Sequence, residues 1–383
     1  LKKKSNQKIL FLFNTLTDYV GYRAPLIAEL ISLGYEVAIL APNDSLVAYE
    51  LIKKSPIVFE SIDFKRRSFD IFSFFLFYKQ FKKIDTSFKP DIVHCFRTQL
   101  IFISAVTLFF YKTKKIIYTF TGLGELFYNN SFFGEAVRKA ISIYFFFFLR
   151  GDNKIITFQN HQDRKLMIKL GAVSIKNSMV LRGVDAIVDS QVFKLSLFVN
   201  KPYIQILFVG RLIKDKGIMD LISALKILKE ESLLASWRCV VIGKVEPGQK
   251  DITESLVLSW EGEDLIKWIP EVKFHEIPHY YADSDIFCLP SYHEGLPRCL
   301  LECSAIGRPM VVTKNHGSVE IVKDGINGFI AQIGDVDQLS RALKNLIINK
   351  NLIQLMGDEA RRLYDLKFKP EDILNEQVNL YDK

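Results

Sequence analysis

The chain has 383 residues, 49% hydrophobic and 25% charged, which is too long for one core and suits two α/β domains. Its net charge of +8 is uneven: residues 1–200 carry 28 Lys/Arg against 16 Asp/Glu, and residues 201–383 carry 23 against 27. A basic half asks for an anionic partner, either nucleic acid or an anionic membrane.

Leu1-Lys-Lys-Lys before Ile9-Leu-Phe-Leu-Phe13 imitates a signal peptide. The apolar run is too short and no cleavage site follows, so residues 8–13 read as a first strand. A Leu at position 1 fits a non-standard start or a trimmed chain. A helix from Tyr22 to Leu33, closed by Gly34, leads to a second strand, residues 35–40. Strand and helix patterns then alternate over 57–62, 71–83, 91–96, 100–111 and 115–120. Such alternation predicts a parallel sheet with helices on both faces. In such sheets ligands bind at the carboxyl edges, where this chain has His94 and the loop Thr121-Gly122-Leu-Gly124.

The runs at 71–78, 100–111 and 141–149 are rich in Phe, and none reaches the roughly 20 residues of a membrane-spanning helix. Lys65-Arg66-Arg67 precedes the first, and Lys79, Lys82 and Lys83 lie within and after it. Each run alone reads as a buried helix with solvated basic ends. Together they point to peripheral binding on an anionic bilayer, in the cytoplasm on the inner face of the cell membrane. Nucleic acid is disfavoured, because the cations sit among Phe and aliphatic runs and no binding motif is present.

Ile155–Phe158 is a further strand, Asn160 is placed to cap the helix after it, and residues 179–185 close the first domain. Residues 186–202 read as a linker. Ile204–Gly210 opens the second domain, followed by Arg211, Lys216-Gly217 and a helix with Leu221, Leu225 and Leu228 inward. Arg211 can grip a phosphate with two parallel bonds, and Lys216 adds a compact charge.

Asp285–Pro290 reads as a buried parallel strand, Pro297 as the first helical residue, and Gly307 with Pro309 as the helix end. The loop Glu294-Gly295-Leu296 thus lies between a strand's carboxyl end and a helix's amino end, where N–H groups and the helix dipole favour an anion. Glu302 lies more than two turns past Glu294, too far for an acid/base dyad. The spacing suggests two polar contacts on one extended ligand. Asp335 is placed to cap a late helix.

The stretch Leu289-Pro-Ser-Tyr-His-Glu294-Gly-Leu-Pro-Arg-Cys-Leu-Leu-Glu302, with Gly307-Arg-Pro309, resembles the signature of the family-four retaining glycosyltransferases. About eighty residues earlier, Gly210-Arg211 with Lys216-Gly217 resembles the family's diphosphate-binding element. The resemblance implies the GT-B fold: α/β, two facing Rossmann-like domains with parallel sheets, and a C-terminal helix crossing back to the first. It implies residues 1–185 with 366–383 as the acceptor domain and 203–365 as the nucleotide-sugar domain. It implies a UDP-sugar donor, no metal and no other cofactor. Glu302 would accept bonds from the ribose, and Glu294 would orient the sugar. Arg211, Lys216 and the amides of Gly295, Leu296 and Pro297, beside Gly210, would stabilise the leaving diphosphate.

Many relatives carry a glycine pair in the first loop, where this chain has Thr15-Leu-Thr-Asp18. Many carry a histidine where this chain has Thr121. The Thr-Gly-Leu-Gly form resembles a branch acting on undecaprenyl-diphosphate-linked sugars, so a polyprenyl-diphosphate-linked sugar is the expected acceptor. The acceptor-side candidates are Thr121, Gly122, Gly124, His94 and Arg23; His94 also reads as a satisfied strand-end histidine. Asp283-Ser-Asp285 spells a metal-binding motif of a different glycosyltransferase fold, and is expected here to be structural. The five cysteines, odd in number and without ligand spacing, are expected to be reduced. Two rival readings stand beside this one: a GT-B enzyme with a soluble acceptor, and a non-catalytic protein that keeps the fold.

Overall fold

The computed structural model describes residues 6–62, 71–111, 113–124, 127–128, 132–183, 187–189, 191–198, 201–231, 236–246, 248 and 251–382. Lys65-Arg66-Arg67 and Asp185 lie outside them. The chain forms two compact units, residues 1–187 with 371–383, and residues 188–370. The sequence had placed the boundaries at 185, 203 and 366. Residues 188–198 join the second unit for a packing reason. Val188 and Phe193 are fully buried, and the Phe193 ring meets Tyr281 edge-on at 6.0 Å.

The first unit runs β1 (Lys8–Leu12), α1 (Ala24–Ser32), β2 (Glu36–Ala41), α2 (Leu46–Lys53), β3 (Ile57–Ser61), α3 (Ile71–Phe88), β4 (Ile92–Phe96), α4 (Thr98–Phe110), β5 (Lys115–Phe120), α5 (Phe132–Phe148), β6 (Lys154–Phe158), α6 (His161–Lys169) and β7 (Ser178–Val180). The second runs β8 (Ile204–Val209), α7 (Ile218–Glu230), β9 (Trp237–Ile242), α8 (Glu254–Gly262), β10 (Lys267–Ile269), α9 (Ile277–Asp283), β11 (Ile286–Leu289), α10 (Arg298–Ile306), β12 (Met310–Thr313), α11 (Ser318–Ile321), β13 (Gly328–Ala331), α12 (Val336–Ile348) and α13 (Lys350–Lys367). A last helix, α14 (Pro370–Asp382), packs on the first unit.

Every paired strand is parallel, in the orders β3-β2-β1-β4-β5-β6-β7 and β10-β9-β8-β11-β12-β13. The strands are continuous apolar runs because helices cover both faces. In the first unit α3, α4, α5 and α6 cover one face, and α1, α2 and α14 cover the other. The chain order reverses between β1 and β4 and again between β8 and β11. At each reversal the loops diverge and leave a crevice at the strands' carboxyl ends.

Local chemistry sets the helix ends. Asp163 N–H donates to Asn160 at 2.7 Å, and Gln338 N–H donates to Asp335 at 2.9 Å, as the sequence implied. Gly307 closes α10 in the left-handed region, at φ 84°. Pro297 stands one position before the helix, with ψ 115°, so α10 begins at Arg298. The proline ring constrains φ and leaves ψ to decide. Tyr381 on α14 bonds His94 at 2.6 Å, and Tyr35 donates to Asp382 at 2.8 Å. These bonds tie the returning tail to the sheet.

Candidate functional site

The second unit's reversal brings together three loops, those after β8, β11 and β12. Lys216 Nζ donates to Glu294 Oε1 at 2.5 Å, joining the first loop to the second. Tyr292 N–H donates to the Asp215 carbonyl at 2.8 Å, a second bond between the same loops. Asn315, after β12, donates to the Ser291 carbonyl at 2.9 Å. Two glycines permit this closeness. A Cβ at Gly217 would lie 1.9 Å from the Pro290 carbonyl oxygen, and one at Gly317 2.6 Å from that of Gly295. Gly217 also holds φ 68°, a conformation that costs glycine little.

Burial alone would lower the Lys216 ammonium, but the Glu294 carboxylate beside it holds its pKa above the ordinary value. Lys216 therefore keeps its charge in a partly buried place. Arg211, after Gly210, is half exposed and ion-paired with Glu246, a partner that the sequence reading missed. Leu296 is buried. Pro297 has no N–H, so it adds no donor to an anion site, contrary to the expectation for Gly295–Pro297. The N–H groups of the first turn of α10 are those of Arg298 and Cys299.

Glu302 sits on the inward face of α10, almost buried. Its Oε1 accepts from Arg298 Nε at 2.9 Å and its Oε2 from the Tyr281 hydroxyl at 3.0 Å. Burial raises its carboxyl above the usual range, and Arg298 and Tyr281 offset part of that. Sequence reasoning missed both partners. Arg298 was findable, because positions i and i+4 of a helix share a face; Tyr281 comes from another helix.

Asp283 and Asp285 lie at the opposite, amino edge of β11. Gln205 Nε2 donates to Asp283 at 2.8 Å, Gln205 N–H donates to Asp285 at 2.8 Å, and Lys201 lies within 3.6 Å of both. They brace β8 against β11. The five cysteines are free thiols.

In the first unit, His94 is buried, with Nδ1 on Tyr381 and Nε2 on Thr119, each at 2.6 Å. Burial, and then the Arg23 charge, hold its pKa well below the ordinary value, so the ring is neutral. Arg23 is also buried, its guanidinium 4.1 Å from the Phe96 ring centre. Thr121, Gly122 and Gly124 form the loop after β5, and both glycines hold positive φ. Thr98 fastens that loop by donating to the Gly122 carbonyl at 2.9 Å. Across the β1/β4 reversal, Arg97 grips Asp18 with two bonds, at 2.9 and 2.6 Å. That pair was not foreseen, although Asp18 stands in the loop where the sequence departs from the glycine pattern.

Two parallel-sheet Rossmann-like units, the second with a cation and a carboxylate joined at its strand reversal, define the architecture of the GT-B glycosyltransferases. Both units match glycosyltransferase family models, which together place the chain among the glycosyltransferases. Residues 190–363 match the model for "Glycosyl transferases group 1", and residues 8–159 match that for "Glycosyl transferase 4-like". The capsular polysaccharide biosynthesis glycosyltransferase CapM of Staphylococcus aureus is 28% identical over 175 residues, 46% of this chain and 45% of CapM. The chain thus spans about half the length of that relative. The N,N'-diacetylbacillosaminyl-diphospho-undecaprenol alpha-1,3-N-acetylgalactosaminyltransferase of Campylobacter jejuni is 23% identical over 394 residues, 98% of each chain. The solved sucrose-phosphate synthase of Thermosynechococcus elongatus shares the fold, with a TM-score of 0.80, 15% identity and 98% of each chain covered.

Proposed function

We propose that the chain is a retaining, metal-independent hexosyltransferase. It moves a hexose or N-acetylhexosamine from a UDP-sugar to a polyprenyl-diphosphate-linked sugar, at an anionic membrane surface. The observation that carries this reading is the Lys216–Glu294 bond between the loops after β8 and β11. A sugar diphosphate needs a cation for its phosphates and a carboxylate for its hydroxyls, and here the two stand side by side.

In this reading Glu302, oriented by Arg298 and Tyr281, accepts bonds from the ribose. Glu294 orients the sugar. The bond between the anomeric carbon and the phosphate oxygen breaks, and its electron pair stays on that oxygen. Lys216 and Arg211 stabilise the growing charge, each contributing roughly 2–4 kcal/mol to the barrier reduction. The acceptor hydroxyl bonds to the same face of the anomeric carbon and gives its proton to the departing phosphate. No protein nucleophile takes part. The acceptor half draws support from the Thr121–Gly124 loop and from the Campylobacter relative, named for transfer to a diphospho-undecaprenol-linked sugar.

The test is a donor screen with the purified chain and a polyprenyl-diphosphate-linked sugar, scoring nucleoside diphosphate release. Release from one UDP-sugar, dependent on the lipid-linked acceptor, is expected. Equal release with a soluble sugar-phosphate would move the acceptor class, and failure to bind any nucleotide would overturn the enzyme reading.

A further inference from the structure

The α3–α4–α5 layer has an outer surface that its core does not explain. On α3 the inward stripe Phe77, Phe81, Ile84 and Phe88 is buried and fills the space against the sheet. Phe72 and Phe75 point away from it, 65% and 59% exposed. At the end of α4, Phe109 and Phe110 are exposed, the latter by 74%, and on α5 so are Phe146 and Phe147. The helices are neighbours, and ring contacts join them: Phe109 meets Phe148 of α5 edge-on at 5.4 Å, and Phe74 of α3 meets Phe102 of α4 at 5.7 Å. Leaving six phenyl rings in water forfeits burial worth a substantial part of a domain's stability. Contiguous exposed patches of this kind mark an interaction surface.

The charges around the rings say what covers it. Residues 71–150, which include the strands between these helices, hold eleven Lys/Arg against four Asp/Glu, and of these cations Arg97 and Lys115 are engaged away from the layer, on Asp18 and on the Tyr381 carbonyl. On α3 the outward stripe turns from Phe72, Phe75 and Tyr78 to Lys79, Lys82 and Lys83, all exposed. Just past the end of α5, Arg150 lies over the Phe146 ring at 4.0 Å. A second copy of the chain would set the same cations against one another. An anionic lipid surface would take the rings at its interface and the cations at its phosphates. Among the described residues no helix is long and apolar enough to cross a membrane, so the layer would lie on the surface.

We propose that the outer face of α3, α4 and α5 is the surface by which the chain docks on an anionic bilayer. This rests on the lipid-linked acceptor read above and gives the membrane partner a place on the chain. The experiment is flotation of the full chain with phosphatidylglycerol-containing or pure phosphatidylcholine vesicles, with no donor or acceptor present. Phe109→Ser/Phe110→Ser and Phe146→Ser/Phe147→Ser are compared with Leu258→Ser, an exposed apolar residue of α8 in the second unit. The unsubstituted chain and Leu258→Ser should float on the anionic vesicles and lose binding as salt rises. Each double variant should partition at least ~10-fold less with an unchanged melting temperature, since exposed rings add little to folding. Equal flotation of the double variants, flotation on neutral vesicles alone, or none at all would overturn the proposal. So would lipid-free dimers that disappear in the double variants, which would make a second copy the occupant. Flotation needs no turnover, so it stands or falls apart from the transfer reaction, which the nucleoside diphosphate assay reads separately.

Discussion

Lys216 and Glu294 are joined at 2.5 Å across the crevice between β8 and β11, and the pair is largely shielded from water. An ion pair in such a place is held together by its own attraction and is costly to break from one side. Each partner therefore holds the other in place until a ligand with the matching charges arrives.

That pairing separates binding from turnover. Glu294→Ala should bind free UDP nearly as well as the unsubstituted chain, because the proposed mode sets Glu294 against the sugar and not the nucleotide, while turnover is lost. Lys216→Met and Arg211→Met should each lower kcat by roughly 2–4 kcal/mol of barrier. Calorimetry with UDP and steady-state kinetics are the measurements. Loss of UDP binding in Glu294→Ala with none in Glu302→Ala would reverse the donor's orientation.

In the proposed binding mode Glu302 meets the ribose, a part of the donor that does not change in the reaction. Glu302→Ala should raise the donor KM more than it lowers kcat. Tyr281→Phe, which removes one of the two bonds that orient the carboxylate, should act in the same direction and more weakly. A fall in kcat at unchanged KM would show that Glu302 acts on the transition state instead.

The pH dependence follows from burial. Burial raises Glu302's carboxyl above the ordinary range, so folding favours its protonated form. The stability contributed by that preference is present below the ordinary glutamate pKa and is lost as pH rises through the raised value. Ribose binding runs the other way, because it needs the carboxylate. Donor KM should therefore begin to rise on acidification at a higher pH than an ordinary glutamate would give. Glu302→Gln should flatten that profile.

The diphosphate site is proposed to work through Lys216, Arg211 and amides. Activity should then survive excess EDTA. Loss of activity restored by manganese or magnesium would return Asp283 and Asp285 to consideration, against their bonds to Gln205 and Lys201.

Gly217 can be tested without touching a charge. Gly217→Ala meets both the left-handed backbone and the Pro290 carbonyl, so it should destabilise the chain by at least about 2 kcal/mol, or roughly 4–8 °C in Tm. Gly248, also at positive φ but with open space around it, is the control for backbone strain alone. Equal melting of Gly217→Ala and Gly248→Ala would remove the packing argument.

Much of this molecule follows from local chemistry. The alternation of apolar runs and helical stripes determines two parallel sheets, since continuous Val/Ile/Leu/Phe strands are soluble only when helices cover both faces. Asn160, Asp335 and Gly307 mark helix ends through bonds and φ values within a few residues. The segment from Leu289 to Glu302 is a strand end, a turn and a helix start, so its chemistry is readable where it stands. What a side chain meets from elsewhere is another matter. The sequence leaves His94 open between a core role and an acceptor role; the fold puts both ring nitrogens on Tyr381 and Thr119, the first 287 positions away. Tyr281 reaches Glu302 and Glu246 reaches Arg211 because helices and loops apart in the chain pack together in the fold. The Phe-rich helices carry one composition throughout, and only packing against the sheet decides which rings fill the core and which remain in water. Periodicity, capping and pairs within one helix act over a few residues, whereas ion pairs and hydrogen bonds between elements, and surface patches, depend on strand order, which no local signal encodes.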